Sequence, residues 1–501
     1  MRRSHAILWA LLLLPTAGLA LAWPAREPGA SEPPAAAARA AGDLEAALAA
    51  VRADNIRADM HFIASDEMGG RDTPSPGLKV AARYIRARLQ RLGLQPGARD
   101  GYFHYYPLRL LRLDEDQSRV ELAAGDERVA LTYAEDYFLA SPSEVANVST
   151  AGDVVFCGTG EVGDFEGLEL EGRWALCADS GISPLKRRNN ARRAGAAGLL
   201  VMPASGSGVA DYGIKFASVI QRSRQGLVSW PSSSDRGPRT VFPQVYLARP
   251  AAERLLALAG RAGGQLSPGE SLAVRVSEER HGEGTVQMEN VCGFWPGSDP
   301  RLKDEVILVS AHYDHVGTRG SDIYNGADDN GSGTTGLLAL AEALVNYGPM
   351  RRSVMLIWVS AEERGLWGSK AWSRDPWLPG DARPVANVNI DMIGRNAPDK
   401  LQITPTRRRK DDYNGIVKAA ERLCELEGFD GLGSADSYYH RSDQAEFARL
   451  GIPVAFLFAD IHEDYHEPSD TADKIDYDKI RRVTRLVMRM LDELQAGELA
   501  Q

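Results

Sequence analysis

Five side chains in this 501-residue chain are of the types that bind divalent metals, and they are spaced so that a fold could bring them together: His312, Asp329, Glu363, Asp391 and His466. Two imidazoles and three carboxylates suit zinc, with cobalt or manganese as substitutes. One carboxylate shared between two ions would hold them about 3.5–4 Å apart, the spacing of two-metal hydrolases. The stretch Glu305–Ser310 is apolar enough for a buried strand, yet it runs directly into Ala311-His312-Tyr313-Asp314. Unpaired charge beside a core is costly, and a metal removes that cost. Asp314, two residues beyond His312, is placed to accept the second imidazole N–H and orient the ring. Glu362, next to Glu363 but outside the ligand set, is placed to act as general base.

The elements that must position these groups follow from the apolar pattern. Strands are expected at 305–310, 354–360, 386–391 and 453–458, with helices at 334–347, 413–427 and 475–494. Strand–helix alternation of this kind predicts an α/β fold with a mostly parallel central sheet and helices on both faces. Each strand ends in, or leads into, a ligand-type residue, and the carboxyl edge of such a sheet is where ligands bind. Nearer the N-terminus, Ser75-Pro76 and Gly93 bracket a helix whose apolar face is Val80, Ala81, Tyr84, Ile85, Leu89 and Leu92. Residues 128–275 change to short β-like runs without clustered His and acids, which predicts an inserted β-rich domain.

Other motifs compete for the same residues. His462-Glu463-Asp464-Tyr465-His466 matches HExxH, but that chemistry needs a helix, and here the segment follows a strand and precedes Pro468. His462 is therefore read as a solvated or locally bonded loop residue, and His315 and His440 as structural. The chain has no GxSxG and no Walker loop, which disfavours a serine hydrolase or a P-loop enzyme.

Net charge is −10 and no basic stripe carries interleaved aromatics, so nucleic acid is not an expected partner. Residues 1–22 have the basic and apolar regions of a signal peptide ending at Ala22, with an uncut anchor as the alternative reading. A Pro/Ala-rich linker follows over 23–42, and no later segment is long and apolar enough to span a membrane. An exported protein, periplasmic or secreted and without stable membrane insertion, is expected. The four cysteines form no CxxC pair; Cys157 and Cys177 end neighbouring strands and could form a disulfide or remain buried thiols.

Taken together, the stretches AHYDHVG (311–317), NGADDNGSGT (325–334), SAEERGLWGS (360–369), NIDMIGR (389–395), RSDQAEFARLGIP (441–453) and YHEPSDTADKID (465–476) resemble the M28 zinc peptidases that carry an inserted protease-associated (PA) domain. The resemblance implies a zinc-exopeptidase (phosphorylase/hydrolase-like) domain made of 43–127 and 286–495, with the PA domain at 128–275. It implies one metal on His312 and Asp391 and a second on Glu363 and His466, with Asp329 bridging. It places Glu362 at the general base and Tyr439, with Tyr438 adjacent, at an oxyanion-steadying tyrosine. The implied activity is that of a dinuclear zinc aminopeptidase on peptide substrates, with hydroxide generated at the metal pair attacking the first peptide carbonyl. A carboxypeptidase or dipeptidase on the same site is the nearest rival, and Arg364, Arg395 or Arg441 could then hold a substrate carboxylate. A single-metal glutaminyl cyclase and a non-catalytic binding protein are further alternatives, both disfavoured by the intact ligand set. Gln444 departs from the family pattern, which has His after Arg-Ser-Asp. Oligomeric state has no signature in the sequence.

Overall fold

The structure is a computed structural model that describes residues 42–204, 212–231 and 241–496. The signal-peptide reading and nearly all of the linker fall outside these residues. Among the described residues, no helix is long and apolar enough to cross a membrane.

The central element is the strand Glu305–His312, in which every residue after Glu305 is buried. Its side chains alternate between two apolar layers, as the period of a strand requires. Ile307, Val309 and Ala311 share a core with Leu337, Leu340 and Leu344 of the helix Gly333–Tyr347 and with Ile480 and Val483 of the helix Tyr477–Glu493. Val306 and Leu308 pack on the other face with Trp372 and Phe447. Helices therefore cover both faces.

The sheet is built from β1 (Phe103–Leu111), β2 (Leu227–Ser229), β3 (Glu283–Trp295), β4 (Glu305–His312), β5 (Ser353–Val359), β6 (Arg383–Asp391), β7 (Gln402–Thr404), β8 (Gly433–Ser434) and β9 (Val454–Phe458). Their order is β8-β7-β9-β6-β4-β5-β3-β1-β2, and a tenth, two-residue strand, Gln95–Pro96, pairs antiparallel with β3 off this path. The four central strands, β9, β6, β4 and β5, are parallel, with His312 opposite Val359 and Asp391 opposite Phe458. The flanks differ from the mostly parallel sheet expected: β3 runs antiparallel to β5, β1 to β3, β2 to β1, and β7 to β9. The sheet is mixed. The reason lies in connectivity: β1 and β3 pair from Phe103↔Val291 to Leu111↔Glu283, so they form the two arms of an antiparallel pair. The chain between those arms makes a second, eight-stranded sheet running from Arg119 to Arg280. This sheet has its own apolar core around Trp174, Leu176, Leu200 and Val245. The short strand β2 returns from this intervening stretch to the edge of the central sheet.

Local signals act as expected at the helix Pro76–Leu92. Ser75 Oγ accepts the Leu78 N–H at 3.0 Å, and Gly93 closes the helix at φ 82°. Ala81, Ile85 and Leu89 are fully buried, but Val80 is 47% exposed and lies on the solvent side. All four cysteines are buried free thiols. Cys157 directly follows the strand Val148–Phe156 and Cys177 lies on the neighbouring strand Trp174–Asp179, where the Cys157 N–H donates to the Leu176 carbonyl at 2.8 Å. They form no disulfide, and the Cys177 thiol donates to the Cys157 carbonyl at 3.5 Å. Burial pushes the Cys157 thiol up to about 12.

Candidate metal centre

The carboxyl ends of β4, β5, β6 and β9 deliver the chemistry to one edge of the sheet. Two of these turns are sharp, because Ala361 and Met392 take left-handed φ values of 58° and 49°, and His466 itself sits at φ 56°. L residues rarely adopt this region, and such positions concentrate where side chains must be aimed.

Asp329 is the centre of the arrangement. Its Oδ1 is 3.4 Å from His312 Nε2, and its Oδ2 is 3.0 Å from His466 Nε2. His312 Nε2 also lies 3.3 Å from Asp391 Oδ1, and His466 Nε2 lies 3.1 Å from Glu363 Oε1. Two groups able to hold a metal ion result: His312, Asp329 and Asp391, and His315, Asp329, Glu363 and His466. Asp329 belongs to both. All five residues singled out as ligands are thus brought together.

Backbone clamps hold Asp329 in place. Asp470 accepts the N–H groups of both Asp328 and Asp329, its Oδ2 lying 3.1 Å from each. Asn330 donates to the Ile390 carbonyl at 3.0 Å and accepts from Met392 N–H, tying this loop to the end of β6. Ser442 Oγ donates to Asp391 Oδ2 at 2.9 Å.

Several residues take places other than those expected. Asp314 lies near His312, but the imidazole Nδ1 is 3.2 Å from the Asp314 carbonyl and 3.7 Å from its carboxylate. The carboxylate instead accepts the N–H groups of Glu362 at 3.0 Å and Glu363 at 3.3 Å, which fixes the turn that presents both glutamates. Tyr439 is buried, and its hydroxyl donates to Asp412 at 3.1 Å rather than to any member of the cluster. Tyr438 packs on Phe458 with a centroid separation of 4.8 Å, in an apolar group with Met392, Phe456 and Tyr465. Tyr465 in turn stacks on His466 at 3.9 Å. Gln444 holds the tyrosine turn, donating to the Tyr438 and Tyr439 carbonyls at 3.0 and 3.1 Å and accepting from Asn389 at 3.0 Å.

The two histidines of the HExxH pattern go to different carboxylates. The His462 side chain is buried and locally bonded, its Nδ1 accepting the Asp464 N–H at 3.3 Å while Nε2 faces Asp328 Oδ2 at 3.3 Å, and no helix spans 462–466. Glu463 is exposed. His440 is exposed and joins neither donor group. His315, read from sequence as structural, lies inside the cluster, with Nδ1 3.0 Å from Glu363 Oε1 and its side chain fully buried. The only signal that could have found it is its place three residues after His312 in the same loop.

The electrostatics of the cluster favour a cation. Burial opposes protonation of His312 and His466, yet the surrounding carboxylates overcome it; His312 is held well above the ordinary imidazole range and His466 is raised to about 10. Asp391 Oδ1 is buried with no hydrogen-bond partner among the described residues and faces His312. A buried carboxylate oxygen left unpaired beside imidazoles is costly unless a positive charge completes it. The donor set of imidazole nitrogens and carboxylate oxygens fits two divalent ions. Burial, together with the neighbouring Asp443, Glu363 and Asp391 carboxylates, raises Glu362 well above the usual glutamate range despite the opposing pull of His312.

Residues 290–491 match the model of Peptidase family M28. A probable leucine aminopeptidase from Arthroderma otae is 29% identical over 218 residues, which is 40% of this chain and 57% of that protein. Leupeptin-inactivating enzyme 1 from Streptomyces exfoliatus is 34% identical over 175 residues, 34% of this chain and 35% of that protein. The chain thus spans little more than half the length of these curated relatives, or less. A solved aminopeptidase from Aneurinibacillus sp. strain AM-1 is 22% identical with a TM-score of 0.48, covering 91% of this chain and 97% of that one.

Proposed function

We propose that this chain, which belongs to Peptidase family M28 through residues 290–491, is a dinuclear zinc aminopeptidase that removes N-terminal residues from peptides. The observation that carries the reading is the position of Asp329, whose two oxygens face two separate donor groups. His312 and Asp391 would hold one ion and Glu363 and His466 the other, with Asp329 shared; cobalt or manganese would be substitutes. Ions bound there would supply Lewis acidity toward the scissile carbonyl and toward water.

The protein's own groups do the rest. The Glu362 N–H donates to Asp314, which fixes the turn carrying both glutamates, and its carboxylate, outside both donor groups, is read as taking a proton and returning it to the leaving amine. With the Tyr439 hydroxyl committed to Asp412, the adjacent Tyr438 is read as the tyrosine that steadies a developing oxyanion. The apolar group of Met392, Phe456, Phe458, Tyr438 and Tyr465 beside Asp391 and His466 supports a preference for an apolar N-terminal side chain. The 128–275 stretch is read as the PA domain. The leader at 1–22 supports export.

The carboxypeptidase or dipeptidase reading needs a free cation for the substrate carboxylate. Arg364 is paired with Asp72 at 2.5 Å and Arg395 with Asp464 at 2.8 Å. Arg441, which lies over the Tyr438 ring at 5.1 Å, has no carboxylate partner among the described residues and is the one arginine of the three that this reading can use. The deciding experiment is hydrolysis of a leucine arylamide with a free α-amine against its N-acetylated form by zinc-loaded protein. Cleavage of the free-amine substrate alone is expected. Equal cleavage of both, or cleavage only of peptides with a free carboxyl terminus, overturns the aminopeptidase assignment.

A further inference from the structure

We infer that His315 is a sixth protein ligand, so that the two ion sites are unequal: one is closed by four protein groups and the other is held by three, with an open position. The inference rests on the dinuclear reading above and concerns how its two halves differ.

The geometry around His315 is that of a ligand. Its Nδ1 is 3.0 Å from Glu363 Oε1 and 3.7 Å from Asp329 Oδ2. His466 Nε2 is 3.1 Å from the same Glu363 oxygen and 3.0 Å from the same Asp329 oxygen. Zinc bonds of about 2.0–2.1 Å in a tetrahedron place neighbouring donor atoms about 3.3 Å apart. These are four of the six edges and they scatter around that length, and all four donor atoms lie within 4.8 Å of one another, which fits His315, Asp329, Glu363 and His466 to one ion. The other group, His312, Asp329 and Asp391, supplies three corners. Structural zinc sites are closed by four protein ligands, whereas catalytic sites keep a position free. The three-donor site is therefore the one at which water and substrate enter, and the four-donor site retains its ion more tightly.

The surroundings hold His315 for this purpose. Its backbone N–H donates to the Arg71 carbonyl at 3.2 Å. A β-carbon on Gly326 would lie 2.4 Å from His315 Cγ, so only glycine lets the ring lie flat against this turn, and Gly326 has φ 59°. His315 is fully buried, and its Nε2 has no hydrogen-bond partner among the described residues. The ring therefore presents a single nitrogen, Nδ1, to the carboxylates. The competing arrangement is a protonated Nδ1 that only donates to Glu363. Loss of such an outer partner also weakens metal binding by about 10–100-fold, so affinity alone does not separate the two.

The test is nitrogen NMR of the full-length protein labelled with 15N-histidine and loaded with 113Cd, with cadmium counted per chain in the same sample. Two cadmium ions are expected, with three imidazole nitrogens coupled to them: two of Nε2 type from His312 and His466 and one of Nδ1 type that disappears in His315→Ala. Stepwise binding of zinc to the metal-free protein should show the tighter step weakened at least tenfold in His315→Ala and the weaker step unchanged within about twofold. If His315→Ala does not fold, the coupling pattern of the wild-type protein decides alone. Two cadmium ions with only the two Nε2-type couplings would overturn the His315 assignment and leave the dinuclear centre standing. One cadmium ion per chain would overturn the dinuclear reading itself.

Discussion

Ser442 Oγ donates a 2.9 Å hydrogen bond to Asp391 Oδ2, and this leaves the other oxygen of Asp391 facing His312 Nε2 at 3.3 Å. The serine fixes which oxygen of the carboxylate points into the three-donor group. Asn389 reinforces it, donating to Ser442 Oγ at 3.1 Å. Ser442→Ala is expected to weaken zinc at this site about tenfold or more while leaving the four-donor site unaffected. Competition with a chelator, step by step, measures it, and two unchanged affinities would show that Asp391 needs no such anchor.

Glu362 is assigned to proton transfer and Glu363 to metal binding, though they are neighbours in sequence. Glu362→Gln keeps the shape and the N–H bond to Asp314 but removes the base. It should lower kcat/KM by about 10²–10⁴-fold with zinc content unchanged. A variant that also loses metal would show that the two glutamates have been assigned the wrong way round.

Arg71 is buried, has no direct ion pair among the described residues, and donates to four carbonyls: Tyr313 at 2.9 Å, Ile63 at 2.7 Å, Asn325 at 2.7 Å and Gly326 at 2.9 Å. These carbonyls lie on three separate segments, two of which carry His312, His315 and Asp329. Arg71→Met strands all four acceptors and should destabilise the chain by more than about 3 kcal/mol in urea unfolding. Arg71→Lys should recover only part of this, because an ammonium cannot reproduce the fork of the guanidinium. Full recovery by lysine would mean that charge alone matters there.

Lys479 is fully buried and donates to the Arg395 carbonyl at 2.5 Å and the Ala397 carbonyl at 2.9 Å. Burial lowers its pKa from 10.5 to about 8, with Asp328 and Asp476 opposing. Below about pH 8 both folded and unfolded chains hold the proton, and the folded state bears the whole cost of the buried charge. Between about 8 and 10.5 the unfolded chain binds more protons, so stability rises with pH. Relative to Lys479→Met, the wild-type unfolding free energy should therefore increase across that window, by at most about 3 kcal/mol. A flat or falling difference between the two proteins would contradict the shift.

Much of this site was legible in the sequence because its ligands obey a local rule. His312 and Asp391 end apolar strands, and Glu363 follows one within a few residues, so hydrophobic patterning alone placed them at one edge. His315 escaped because its place depends on Glu363, 48 residues away, and on the room that Gly326 leaves for its ring. The choice between Tyr438 and Tyr439 turns on the phase of a single 3-10 turn at Asp436–Tyr438, which no periodic pattern sets. The mixed sheet was hidden for a different reason. β7 and β8 are 3 and 2 residues long, too short to signal a strand, and β1 pairs with β3 across the whole second sheet. Val80 was misplaced because a helix of 17 residues has room for an exposed valine beside its buried stripe.

The measurement closest to the central claim is the number of zinc ions bound per chain after complete removal and reloading, in the wild-type protein and in Asp329→Ala. The shared carboxylate predicts two ions per wild-type chain and loss of tight binding at both sites in the variant, since each donor group includes Asp329. One ion in the wild-type protein, or two ions retained as tightly without Asp329, would contradict a centre organised around that residue.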